Sequence, residues 1–103
     1  MDTKQLTYFI AIAESKTITE AANKLHLAQP ALSQSLKTLE GQLETQLVNR
    51  SRHQLTLTPA GEVLYKEGKR ILQQIEETTS KILSAGAAWT LSRNAIIEGC
   101  KRN

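Results

Sequence analysis

Cysteine is nearly absent. Cys100 is the one thiol among 103 residues, which excludes an intrachain disulfide framework. Aromatic residues make up only 4% of the chain, so a core has to be assembled from Leu, Ile and Ala, a composition that favours helices. No run approaches the ~20 consecutive apolar residues of a membrane span. The first residues, Met1-Asp2-Thr3-Lys4-Gln5, lack the apolar stretch of a secretory signal. A soluble, reduced, cytoplasmic protein is expected. A large excess of one charge is missing too: the net charge is +3 and the pI about 9.2. Residues 1–28 and 59–86 each balance to zero, residues 29–58 carry one extra positive charge, and residues 87–103 carry two. A polyanion partner therefore has to be argued from where the cations stand.

What is present suffices for one domain. Apolar residues at 40% and charged residues at 22% lie in the globular range. Leu6, Phe9, Ile10 and Ala13 fall on one face of a first helix over residues 3–15. Thr17-Ile18-Thr19-Glu20 has the form of a capping box, in which the Thr17 hydroxyl accepts from the Glu20 amide and the Glu20 carboxylate reaches back. Ile18, Ala21, Ala22 and Leu25 then line a second, short helix whose two alanines permit close approach of a neighbour. A third helix opens at Gln29-Pro30, where proline suits the first turn. Leu32, Leu36, Leu39 and Leu43 line its inner face, and Ser33, Gln34, Lys37 and Thr38 its outer face. Two helices joined by a short turn, the second longer and polar outside, make a helix-turn-helix.

The period changes after residue 47. Leu55-Thr56-Leu57-Thr58 alternates as a half-buried strand does, and a two-stranded hairpin is expected with Arg52 and His53 near its tip. Thr58-Pro59 then starts a fourth helix. Its stripe of Leu64, Gly68, Ile71, Ile75, Thr78 and Ile82, widened by Leu72, Thr79 and Leu83, is spaced close to the 3.5 residues of a coiled coil. The helix is expected to run to about Gly86, longer than a small domain can cover, which points to pairing with a second copy through Leu64, Ile71, Leu72, Ile75 and Ile82. Residues 87–103 show no sustained periodicity and read as an irregular tail.

Enzyme readings find no support. There is no glycine-rich phosphate loop and no Cys or His pair at metal spacing. His26 and His53 lie on different elements and read as surface histidines, and Ser33 has no adjacent base. No metal, cofactor or catalytic residue is expected. The third helix is the informative element. A helix fits the major groove of B-DNA and presents its N-terminal residues to base edges. Glutamine can pair with adenine N6 and N7, serine with either base type, and Pro30 can meet a thymine methyl, while Lys37 can reach a phosphate. Arg50, Arg52 and His53 on the hairpin are suited to DNA backbone or a narrow minor groove.

Residues 4–86 resemble the N-terminal DNA-binding domain and linker helix of LysR-type transcriptional regulators. The resemblance is carried by Leu6-x-x-Phe9, Thr19-Glu20-Ala21-Ala22-x-x-Leu25, Ala28-Gln29-Pro30-Ala31-Leu32-Ser33, Leu39-Glu40 with Leu43, and Leu55-Thr56-Leu57-Thr58-Pro59-Ala60-Gly61. It implies a mainly α winged helix-turn-helix on a dimerising helix, operator DNA as partner, and commonly tetramers. It places base reading on Gln29, Pro30, Ser33 and Gln34, and wing contacts on Arg50, Arg52 and His53. Three positions depart from the family pattern: Gln34 replaces a frequent arginine, Glu44 the usual glycine after the recognition helix, and Val48 a usual phenylalanine.

Together these readings give a winged helix-turn-helix over residues 1–58, a linker and dimerisation helix over 59–86, and a tail over 87–103 unlike the family. The expected function is sequence-specific DNA binding without the family's inducer-binding domain, so no small-molecule inducer is expected on this chain. The rival reading is an oligomerisation module that pairs with a full-length regulator through the long helix.

Overall fold

The computed structural model describes residues 1–51 and 54–102, with side chains through residue 87. Among the described residues, four helices and one hairpin follow in the order α1 (Thr3–Ala13), α2 (Ile18–Leu25), α3 (Gln29–Leu43), β1 (Val48–Arg50), β2 (Leu55–Leu57) and α4 (Pro59–Arg102). They fall into two compact units, Met1–Leu72 and a second beginning at Gln73.

The first unit is built around the first three helices. Leu6, Phe9 and Ile12 of α1 meet Ile18, Ala21 and Ala22 of α2 and Leu32, Leu36 and Leu39 of α3, closed from below by Leu47 and Val48. The two alanines are almost fully buried, as close helix packing needs. Leu43, expected on the same face of α3, is instead 40% exposed, because α3 ends there and its last turn passes the edge of the core. Val48 is buried despite being smaller than phenylalanine.

Caps set the helix boundaries. Asp2 and Gln5 form a reciprocal capping box at the start of α1. The helix ends at Ala13 rather than at residue 15; Ser15 turns inward and donates its hydroxyl to the Ala11 carbonyl at 2.7 Å. At α2 the Thr17 hydroxyl accepts from the Glu20 amide at 3.1 Å as expected, but the Glu20 carboxylate reaches the Lys16 amide (3.2 Å), one residue before the cap. Both α2 and α3 close with a residue in the left-handed region, His26 (φ 55°) and Glu44 (φ 50°). In each case the next amide reaches back five residues in the Schellman manner, Leu27 to the Ala22 carbonyl and Thr45 to that of Glu40.

The hairpin is antiparallel, with Val48 opposite Leu57 and Arg50 opposite Leu55. Glu40 fixes its start: the carboxylate accepts from the Leu47 amide at 2.7 Å and the Val48 amide at 3.3 Å. Thr58 fixes its end, donating its hydroxyl to the Gln46 carbonyl and accepting from the Gly61 amide. The first turns of α4 then lie against the core at two glycines. A Cβ at Gly61 would run into the Leu47 carbonyl, and one at Gly68 would lie 2.6 Å from Leu6 Cδ1. Gly68 therefore belongs to the packing of α4 on α1, not to an outward stripe. Beside it, Tyr65 donates its hydroxyl to the Glu14 carboxylate (2.9 Å), and Lys69 stands 3.6 Å from that carboxylate. The hydrogen bond to Tyr65, followed by the charges of Tyr65 and Glu14, raises the Lys69 pKa above its ordinary 10.5.

The fourth helix does not stop at Gly86. It runs to Arg102, so the irregular tail expected over 87–103 is helical as far as the described residues extend. One glycine costs a helix only about 1 kcal/mol, and Gly86 is flanked by Ala85 and Ala87, the strongest helix former. No proline follows Pro59 to stop it.

Candidate nucleic-acid interface

The first turn of α3 meets the hairpin at the outer surface of the first unit. Gln29 and Ser33, one turn apart, border a cleft completed by Thr17 and Thr19 at the start of α2 and by Arg50 and Gln54 of the hairpin. A backbone bond holds these pieces together: the Leu55 amide donates to the Lys16 carbonyl at 3.2 Å and ties β2 to the loop before α2. The hairpin turn is closed by Ser51, whose hydroxyl donates to the Gln54 carbonyl at 2.7 Å. Ala28 precedes α3 and brings no side-chain cap to its first amides.

The sequence-predicted residues are thus divided. Gln29, Ser33 and Arg50 come together in one cleft. Gln34 faces a second groove, between α1 and α3, bordered also by Gln5, Tyr8 and Thr38. Its amide donates to the Thr38 hydroxyl at 3.5 Å, at the outer limit for such a bond. Pro30 and Lys37 are exposed on α3. Arg52 and His53 lie outside the described residues. Thr17 and Thr19 join the cleft although sequence reasoning gave neither a place in the site. In the sequence Thr17 has the place of a helix cap and Thr19 that of one residue in the family pattern. Their position follows from the α2–α3 crossing, for which the sequence holds no local signal.

Lys24 pairs with Glu20 (3.5 Å), Lys69 with Glu14 (3.6 Å) and Arg70 with Glu67 (3.6 Å). Among the described residues, Lys4, Lys16, Lys37, Arg50, Lys66 and Lys81 enter no ion pair. Of these, Lys16, Lys37 and Arg50 lie on or next to the α3–hairpin surface. Nothing in this arrangement resembles a catalytic constellation; what it can do chemically is donate and accept hydrogen bonds beside exposed positive charge.

The residues expected to pair two copies are divided as well. In the first unit Leu64 is half-buried against its own core, Leu72 is half-buried, and Ile71 is 43% exposed. In the second unit Ile75 is 43% exposed and Ile82 63%. Leu64 therefore spends much of its surface within the chain. Among the described residues, no helix is long and apolar enough to cross a membrane.

Residues 3–62 match the model of the bacterial regulatory helix-turn-helix protein, lysR family. The chain belongs to the LysR family. Among curated relatives, it is 42% identical over 88 residues to the nitrogen assimilation regulatory protein nac of Escherichia coli (strain K12), covering 85% of this chain and 29% of that protein. It is 44% identical over 100 residues to the HTH-type transcriptional regulator BsdA of Bacillus subtilis (strain 168), covering 94% and 34%. The chain thus spans about a third of the length of these LysR relatives. Two solved structures are similar. One is the CbnR_DBD-DNA complex, with TM-score 0.80 and 34% identity over 84% of this chain and 99% of that one. The other is the BenM_DBD/catB site 1 DNA complex, with TM-score 0.81 and 32% identity over 84% and 97%. The winged helix-turn-helix expected from the sequence is the LysR fold.

Proposed function

We propose that this chain is the sequence-specific DNA-binding module of a LysR-type transcriptional regulator. The observation that carries the reading is the cleft in which Gln29 and Ser33 of α3 stand beside Arg50 of the hairpin. A helix presenting polar N-terminal side chains next to an unpaired arginine suits a major groove flanked by phosphates. Gln29, Pro30, Ser33 and Gln34 read base edges, and Lys37 meets a phosphate. Arg50, with Arg52 and His53, contacts backbone or the minor groove. Similar domains crystallised on DNA support the assignment.

In this reading residues 1–58 are the DNA-binding part, and α4 from Pro59 through residue 86 joins two copies. Ile71, Leu72, Ile75 and Ile82 form the seam, with Leu64 at its edge. A second reading rests on the exposure of Ile75, Ile82 and Leu83: the long helix pairs with a full-length regulator, and the helix-turn-helix serves as scaffold. Titrating the chain against duplex DNA at several salt concentrations tests the two. Each phosphate neutralised contributes about −0.9 to the slope of log affinity against log salt. A steep negative slope is expected; no measurable binding to any duplex would favour the second reading.

A further inference from the structure

Helical threonines and serines commonly return their hydroxyl to their own backbone, and Thr7 and Ser15 do so here, to the carbonyls of Thr3 and Ala11. Thr19 does not. Its hydroxyl donates across to α3, to Oε1 of Gln29, at 3.1 Å. The cap of α2 is already supplied by Thr17, so the Thr19 hydroxyl has no such task in its own helix. Both side chains are exposed at the edge of the cleft that holds Ser33 and Arg50, so the bond is not part of the core.

A glutamine amide is two-ended, a carbonyl oxygen with two lone pairs, one of them taken by Thr19, and an amino group with two donors. Adenine is read with both ends, the oxygen taking N6–H and the amino group giving to N7, whereas guanine offers two acceptors, N7 and O6. We infer that Thr19 is a positioning residue that selects the base read by Gln29: by holding Oε1 toward α2 it leaves the amino group as the reading end and favours guanine over adenine. The inference rests on the proposed DNA-binding function and deepens it. Gln34 is the contrast, since its 3.5 Å bond to Thr38 is too long to fix either end. Water competes for the Thr19–Gln29 bond in the free protein; exclusion of water on a duplex strengthens it where the choice between bases is made.

Selection from a randomised duplex library with the whole chain tests this. Gln29→Ala should flatten one position of the selected sequence and so identify the base pair that Gln29 reads. At that position the unmodified chain should prefer guanine, Thr19→Val should shift the preference toward adenine by roughly two- to tenfold, the worth of one such hydrogen bond, and Thr19→Ser should restore guanine. A Thr19→Val profile identical to that of the unmodified chain would overturn the inference. So would a Thr19→Ser profile that follows Thr19→Val, since shape rather than the hydroxyl would then matter. If Gln29→Ala flattens no position, the inference fails while DNA binding stands. If the unmodified chain enriches no sequence at all, the proposed function fails, and the inference with it.

Discussion

Glu44 holds φ 50° and ψ 38° at the end of α3, a conformation that costs a non-glycine residue about 1–2 kcal/mol and glycine little. The helix still closes there because Thr45 reaches the Glu40 carbonyl and the Glu40 carboxylate caps the start of β1. Glu44→Gly should relieve the strain at some entropic cost, for a net gain of about 1 kcal/mol and a rise in melting temperature of roughly 4–8 °C. An unchanged or lower melting temperature would show that Glu44 is not strained. The departure from glycine is visible in the sequence; that Glu adopts the glycine conformation rather than shortening the helix is not, because the compensating bonds join residues up to eight positions apart. Thr19 teaches the same at the site. Gln29, Ser33 and Arg50 are legible as candidates from helix face and charge, whereas the hydrogen-bond partner of Gln29, Thr19, lies on another helix.

At the scale of elements, the placement of α4 depends on two close approaches. Gly61→Ala would press a methyl group into the Leu47 carbonyl, which is backbone and cannot turn aside. Overpacking of this kind costs about 1–3 kcal/mol. Gly41→Ala is the control, since a Cβ there meets nothing within 4 Å and the helix gains about 0.5–1 kcal/mol. Denaturant midpoints should move in opposite directions for the two variants; a shared direction would refute the packing assigned to Gly61. Helices α1 to α3 and the hairpin were readable because leucine spacing, Thr17, Pro30 and the Leu55–Thr58 alternation are local signals. The course of α4 was not. The spacing puts Gly68 in one stripe with Leu64 and Ile71, whereas Leu6 and Ile10 lie against it, and the helix passes Gly86 because one glycine is too weak a signal to end it.

At the scale of the molecule, the proposed function adds the pairing of two copies to the reading helix. Two copies joined through α4 would offer two α3 helices to half-sites about one DNA turn, roughly 34–36 Å, apart. Ile75→Asp places a charge in that seam at a cost of several kcal/mol, and sedimentation should shift toward monomer while the fold of the first unit is kept. An unchanged sedimentation profile would exclude this seam. The central claim is narrower: the N-terminal turn of α3 reads bases. It is tested most directly by titrating Gln29→Ala and Arg50→Ala against a selected duplex and its scrambled counterpart at several salt concentrations. Gln29→Ala should lose about 1–3 kcal/mol of preference for the selected duplex, while Arg50→Ala weakens both duplexes evenly and flattens the salt slope by about one unit. Equal loss on both duplexes for Gln29→Ala would contradict the account.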